Sequence, residues 1–322
     1  MLALQQQSSS SLSSSSSADT TISTLTLDSI TTSPTPPVLP TNEDVQIVSN
    51  MPEPLPLDQL RHQYYLLRHG QSTANVASVI SSDRSLAYSQ RHGLTAVGYQ
   101  QATQAAESLI QALEEQASTV VVKKGDKILF VSSPFARARQ TAQACLQELC
   151  QNPTLRQRLD TLGVEIQMEL DCHNNTNILL REQLMERYFG RLDDEAIYTY
   201  AYVWPVDKFN VTHTAFDVES VAAVCTRIRS LIMDDLEQLE FVSDDTNNDN
   251  DDDDDNGCKY HIVMASHADV LQIAQLYGAN APNVGAFSSY RFANGEVRRM
   301  QSTVDSLPEP VPLQPPKRGT QI

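Results

Sequence analysis

The chain has 322 residues and carries 40 Asp and Glu against 23 Lys and Arg, a formal charge of −17. That balance excludes a broad basic surface for nucleic acid, and no apolar run reaches the roughly 20 residues needed to span a bilayer. The acidity is uneven: residues 1–60 hold six acids and no base, residues 244–255 hold eight aspartates and no base, and the remainder is close to neutral.

Residues 1–60 are rich in Ser, Thr, Gln and Pro, with too few apolar side chains to offset the entropy of ordering, and read as a disordered N-terminal segment. They lack the arginines of a transit peptide and the basic start and apolar stretch of a secretory signal. Five cysteines without paired spacing are expected as reduced thiols, and Cys172-His173 has no second ligand pair to complete a zinc site. These features suit a cytoplasmic chain, with the nucleus left open.

The folded unit is expected over residues 61–305. Tyr64–Leu67 is a buried-strand candidate. Thr95–Gln116 places Ala102, Ala105, Ala106, Leu109 and Leu113 at helical spacing, with Thr95 as a cap. Lys127–Val131 is a second strand, followed by a helix over Phe135–Cys150. Val218–Leu239 is a further helix, and the acidic residues 243–257 form a solvated insertion. His261–Ala265 is a third strand, followed by a helix over Val270–Leu276. Residues 306–322 form a Pro-rich tail. Strands alternating with helices define an α/β fold, a mainly parallel sheet with helices on both faces.

Each strand candidate runs into charged or imidazole side chains. The first ends in Arg68-His69-Gly70, the second in Ser132-Ser133-Pro134-Phe135-Ala136-Arg137, the third in Ser266-His267. Ligands of open α/β sheets bind beyond the carboxyl ends of the strands. Two arginines and two histidines delivered there describe an anion site, because a guanidinium matches phosphate oxygens and neutral imidazole is a competent nucleophile.

The ordered set of motifs resembles the histidine phosphatase superfamily, with its phosphoglycerate-mutase-like fold. Leu66–Asn75 (LLRHGQSTAN) is similar to its Arg-His-Gly-x-Ser signature, and His92–Ala102 to the Leu-Thr-x-x-Gly segment that follows. Ser132–Ala142, Leu184–Gly190 (LMERYFG), Phe216–Ile228 and Met264–Leu271 (MASHADVL) match later segments. The resemblance spans Tyr64 to Arg299 and implies a metal-independent phosphomonoesterase needing no cofactor. His69 would be the nucleophile that becomes phosphohistidine. Arg68, Arg137 and His267 would surround the phosphoryl oxygens, with Asn75 and Ala268 also contributing to phosphate binding. Glu186 would be the general acid and base, with Glu182 as competitor.

Three positions depart from that pattern. Ala268 replaces a glycine, Gln71 replaces a glutamate that would make the pocket more negative, and Asp194 stands where a glycine is usual. The expected substrate is a small phosphorylated molecule or a phosphopeptide. Nucleic acid and membranes are not expected partners, which leaves weak docking through the acidic insert or the tail, where Pro312, Pro315 and Lys317 are spaced like a polyproline ligand. A phosphoglycerate-mutase-type transfer is the alternative activity. It is disfavoured by Ser-His-Ala-Asp at the second histidine, where mutases typically carry Ala-His-Gly-Asn. A non-catalytic scaffold is the second alternative, disfavoured because no candidate catalytic residue is missing.

The remaining features have structural readings. His62, His92, His173, His213 and His261 are expected as exposed or satisfied structural residues. Trp204 and Tyr198–Tyr202 are expected in the core rather than on a substrate lid. Asp252, Asp254, Asn256 and Gly257 mimic a calcium loop, but Val263 at its twelfth position cannot supply the closing carboxylate.

Overall fold

The computed structural model describes residues 51–117, 122–167, 177–240 and 259–312. The acidic insertion, Cys172-His173, the calcium-loop mimic, most of the N-terminal segment and the tail beyond residue 312 lie outside the described residues.

Among the described residues six strands form one sheet: β1 (Gln63–Arg68), β2 (Lys127–Ser132), β3 (Glu165–Ile166), β4 (Ile178–Leu180), β5 (Tyr260–Ser266) and β6 (Val297–Arg299). Its order is β3-β2-β5-β1-β6, with β4 also pairing β2. All pairings are parallel except that of β6 with β1. The three sequence-derived strands are the three central ones. The short strands β3, β4 and β6 have too few residues to show a period and were not foreseen.

The helices are α1 (Thr73–Ala77), α2 (Ala96–Ala117), α3 (Ala136–Gln151), α4 (Pro153–Leu162), α5 (Trp204–Asp207), α6 (Val221–Ser230) and α7 (Ala268–Gly278). Thr95 caps α2 as expected, its hydroxyl accepting from the Gly98 amide at 3.1 Å. The long helix expected over Val218–Leu239 is shorter. Ser220 caps α6 by accepting from the Ala223 amide at 3.1 Å, and beyond Ser230 the chain widens into a π turn over Leu231–Asp235. The helix expected from Val270 begins at Ala268, directly after His267.

Alternation along β1 divides the core. Tyr64 and Leu66 pack with residues of α6 and α7 on one face, while Tyr65 and Leu67 pack with α2, α3 and α4 on the other. With both faces covered, the central strands are almost wholly apolar. Cys145 and Cys225 are buried free thiols in opposite clusters. Among the described residues no helix is long and apolar enough to cross a membrane.

The boundary at residue 60 is corrected. Leu55 is buried, Met51, Leu57 and Leu60 pack against the α6–α7 cluster, and the Tyr277 hydroxyl donates to the Glu53 carbonyl. These few apolar residues are diluted by prolines and acids in the sequence, which hides them from a compositional reading. Leu307 likewise packs on that cluster, and the Val311 amide donates to the Ser289 carbonyl at 2.7 Å, so the start of the tail belongs to the folded body. Leu55→Ala should cost about 2–5 kcal/mol, the range for truncating a buried leucine, read as a lower midpoint in urea denaturation.

Candidate active site

Strand register brings the charged residues together. Arg68 pairs with Ser266 across β1 and β5, and Ser132 pairs with Ala265 across β2 and β5. The residues that follow, His69, Ser133 and His267, therefore emerge at one level of the sheet's carboxyl edge. The loop after β1 is pinned against α2 and α3. The Gly70 amide donates to the Thr141 hydroxyl at 3.0 Å, and a side chain at Gly70 or Gly98 would collide with the backbone carbonyl opposite.

A pocket of about 230 Å³ opens at this edge, and Arg68, His69, Asn75, Arg137, Glu186 and Ala268 line it. A larger crevice of about 430 Å³ lies between the end of α2 and β6, away from these residues. His69 is buried, with Nδ1 2.7 Å from the Gly70 carbonyl oxygen. A carbonyl only accepts, so Nδ1 carries the proton and Nε2 keeps its lone pair. Burial, then Arg137 and Arg68, hold the imidazole well below its ordinary value, so it is neutral at physiological pH.

Arg68 donates to the Phe292 carbonyl at 2.6 Å, and its buried Nε has no partner. Arg137, also buried, donates to the Ser81 carbonyl at 2.8 Å and from Nε to His267 Nδ1 at 3.1 Å. Burial pulls both guanidiniums below their ordinary value, but they start so high that they stay charged.

His267 stands behind Arg137 and is not part of the pocket wall. Its Nδ1 accepts from Arg137, so Nε2 holds the proton and donates to the Ser133 hydroxyl at 2.9 Å. Both ring nitrogens of His267 are thus engaged within the protein.

Glu186 Oε2 lies 3.8 Å from the Arg137 guanidinium and 3.6 Å from His267 Nδ1. Burial pushes its carboxyl up to about 7, against the pull of Arg137 and with further help from Asp269. Glu182 is exposed and accepts from the Tyr88 hydroxyl at 3.1 Å, away from the pocket. The geometry favours Glu186 of the two. Asn75 Oδ1 accepts from the Ser72 amide at 3.0 Å inside the capping box of α1, an arrangement that leaves its Nδ2 protons for a ligand.

The departures have local explanations. Ala268 opens α7 in helical conformation, so no glycine-only dihedral is needed there. Asp194 has φ 61°, a conformation glycine adopts freely and aspartate tolerates, and its carboxylate takes two hydrogen bonds from Arg91, at 2.6 and 2.7 Å. Gln71 does not line the pocket. Its side chain accepts from the Thr95 hydroxyl at 2.8 Å, so it ties the loop to α2 instead of setting pocket charge.

The expected core placement of Trp204 and Tyr198–Tyr202 is corrected. Tyr200 and Trp204 stack at 4.4 Å and 8° and line the pocket, while Tyr198 and Tyr202 are exposed. Ser81, Ser133, Asp269, Gln272 and Arg291 also belong to the site or its support. Only the strand-end positions of Ser133 and Asp269 carried any signal in the sequence. Of the other histidines, His261 contacts Asp126 at 3.2 Å and His213 contacts Asp207 at 2.7 Å, both structural.

Beneath Glu186 lies a buried ion cluster. Arg187, fully buried, donates twice to Asp207 at 2.7 Å and once to the Glu219 carbonyl at 2.7 Å, and lies 3.6 Å from Asp269. The Trp204 indole donates to Asp269 at 3.1 Å.

The histidine phosphatase superfamily (branch 1) family model matches residues 64–168, which carry Arg68, His69, Asn75 and Arg137. Through this stretch the chain is similar to that superfamily. No curated protein sequence matches it. Similar solved structures include mycobacterial hydrolase 1, with 18% identity, 73% of this chain and 87% of that chain covered, and a TM-score of 0.45. A mycobacterial glucosyl-3-phosphoglycerate phosphatase has 17% identity, 73% and 90% coverage and a TM-score of 0.45. An alpha-ribazole phosphatase from Shigella flexneri has 18% identity, 73% and 88% coverage and a TM-score of 0.43.

Asp207→Ala should destabilise the protein by about 3–5 kcal/mol, because it strands the Arg187 charge in the interior. Equilibrium denaturation of the variant checks this.

Proposed function

We propose that this chain is a phosphomonoesterase that works through a phosphohistidine on His69. The observation that carries the reading is the pairing of a neutral His69, its Nε2 lone pair unused, with the buried Arg137 and half-buried Arg68 guanidiniums on one small pocket. Nε2 attacks phosphorus in line with the ester oxygen. Arg68 and Arg137 hold the non-bridging oxygens and stabilise their charge in the transition state, and Asn75 and the Ala268 amide add neutral donors. His267 acts through Arg137, holding its Nε and so the plane of its fork. It is a positioning residue.

Glu186 supplies the proton. In its protonated form it donates to the leaving alkoxide as the ester P–O bond breaks, giving the free alcohol and phosphohistidine. As a carboxylate it then takes a proton from the water that attacks phosphorus, the P–N bond breaks, and inorganic phosphate leaves. The guanidiniums provide the positive charge that divalent ions supply in other phosphoryl-transfer sites. Water as the second acceptor makes the net reaction hydrolysis; a second substrate hydroxyl in its place would make it a mutase.

His69→Ala should abolish turnover and the transfer of 32P from labelled substrate to protein. Full turnover in that variant would overturn the mechanism. Incubation with 3-phosphoglycerate and its bisphosphate primer should release phosphate; rapid formation of 2-phosphoglycerate without release would make the protein a mutase.

Because the acid form of Glu186 exists below about 7, kcat/KM should fall as pH rises through that value. Glu186→Gln should remove this limb. It should slow alkyl phosphates far more than p-nitrophenyl phosphate, whose leaving group needs little protonation. An unchanged pH profile in the variant would exclude Glu186 as the acid.

A further inference from the structure

The wall of the pocket formed by α7 carries polar groups that phosphoryl transfer does not use. Gln272 is 4% exposed and lines the pocket, yet its amide has no hydrogen-bond partner. With no protein partner and facing the pocket, the amide offers one acceptor and two donors to whatever occupies it. Asp269, 3% exposed, lines the same wall. Its Oδ2 accepts from Trp204, and its Oδ1 has no partner. Gln272 is three residues beyond Asp269 and four beyond Ala268, so the three lie on one face of α7. One helical turn, about 5.4 Å, separates the Ala268 end from Gln272. The stacked Tyr200 and Trp204 rings add a flat wall to the same pocket.

A carboxylate and a free amide beside an aromatic face suit hydroxyl groups on a carbon skeleton. The carboxylate accepts from a hydroxyl, the amide both donates and accepts, and C–H groups lie on the rings. A second anionic group would instead meet the Asp269 carboxylate. Among the described residues, the one further cation on the pocket is Arg291, at its exposed rim. Building on the phosphomonoesterase reading, we propose that Gln272 and Asp269 form a hydroxyl-reading subsite, and that the substrate is the phosphate monoester of a polyhydroxylated skeleton, a sugar or polyol phosphate. Gln272 is then a specificity-determining residue, distinct from the groups that act on phosphorus.

The test compares erythritol 4-phosphate, n-butyl phosphate and 3-phosphoglycerate on wild type and on Gln272→Leu, which keeps side-chain bulk while removing the amide. Wild type should favour erythritol 4-phosphate over butyl phosphate by about tenfold or more in kcat/KM, the scale of one or two satisfied hydrogen bonds. Gln272→Leu should bring that ratio towards one, chiefly through KM. Gln272→Asn, a shorter amide, should restore part of it and guards against misfolding of the leucine variant. Equal rates on the two esters in wild type, or a ratio that survives Gln272→Leu, would overturn the subsite. A preference for 3-phosphoglycerate that Arg291→Gln removes would replace it with an anion-reading rim. If no ester is hydrolysed and His69 takes no 32P label, the phosphomonoesterase reading itself fails. The two failures are therefore distinguishable.

Discussion

The site depends on keeping two guanidiniums, one buried and one half-buried, charged on a single pocket. Desolvation opposes the charged form of each, and Arg68 further opposes that of Arg137. The fold offsets this with carbonyls before any ligand arrives: Phe292 receives Arg68, and Ser81 receives Arg137. These acceptors sit on loops remote in sequence, so the cationic pair exists only when the sheet, the loop after α1 and the segment after α7 are assembled together. Burial, and then the same positive charge, keeps His69 unprotonated, so one constraint serves both the anion receptor and the nucleophile of the proposed reaction.

A compensating negative charge is needed nearby, and its placement gives Glu186 its character. Its carboxylate near Arg137 would ordinarily be held low, but burial and the neighbouring Asp269 outweigh the attraction. Asp269 is itself pushed up to about 6 by burial, with Arg187 pulling the other way. Carboxyls and guanidiniums thus alternate across the pocket: Arg68 and Arg137 on the strand side, Glu186 and Asp269 opposite, Arg187 and Asp207 beneath. On the proposed reading, this local balance explains how a chain of strong net acidity can hold a pocket for phosphate.

The central sheet was legible because its signal is local. Three apolar runs end in charged residues, and the parallel register aligns those ends within a residue of one another. Arg68, His69, Arg137 and Ala268 follow from that alignment, and the fold brings Asn75 and Glu186 from other elements onto the same pocket. His267 shows the limit. Its position at a strand end was readable, but its orientation behind Arg137 depends on Ser133 and on which ring nitrogen holds the proton. That is a tertiary property, with no trace in the spacing of residues.

The wall opposite the strands was illegible for a different reason. Residues 184–220 are mostly short turns with no helical or strand period, and what orders them is the contact of Arg187 with Asp207, Asp269 and the Glu219 carbonyl. Arg187 follows Glu186 directly in the chain, so clamping one fixes the backbone of the other. Asp269 lies two residues past His267, so the same cluster ties the acid's loop to the start of α7. Trp204 hangs from that cluster through its indole N–H and in turn carries Tyr200. The cluster that anchors Glu186 therefore also sets the aromatic wall, and chemistry and substrate shape share a single support. A residue reader sees an ordinary arginine beside a glutamate; only the folded chain reveals that the arginine, wholly buried, is what holds the pocket's far side in place.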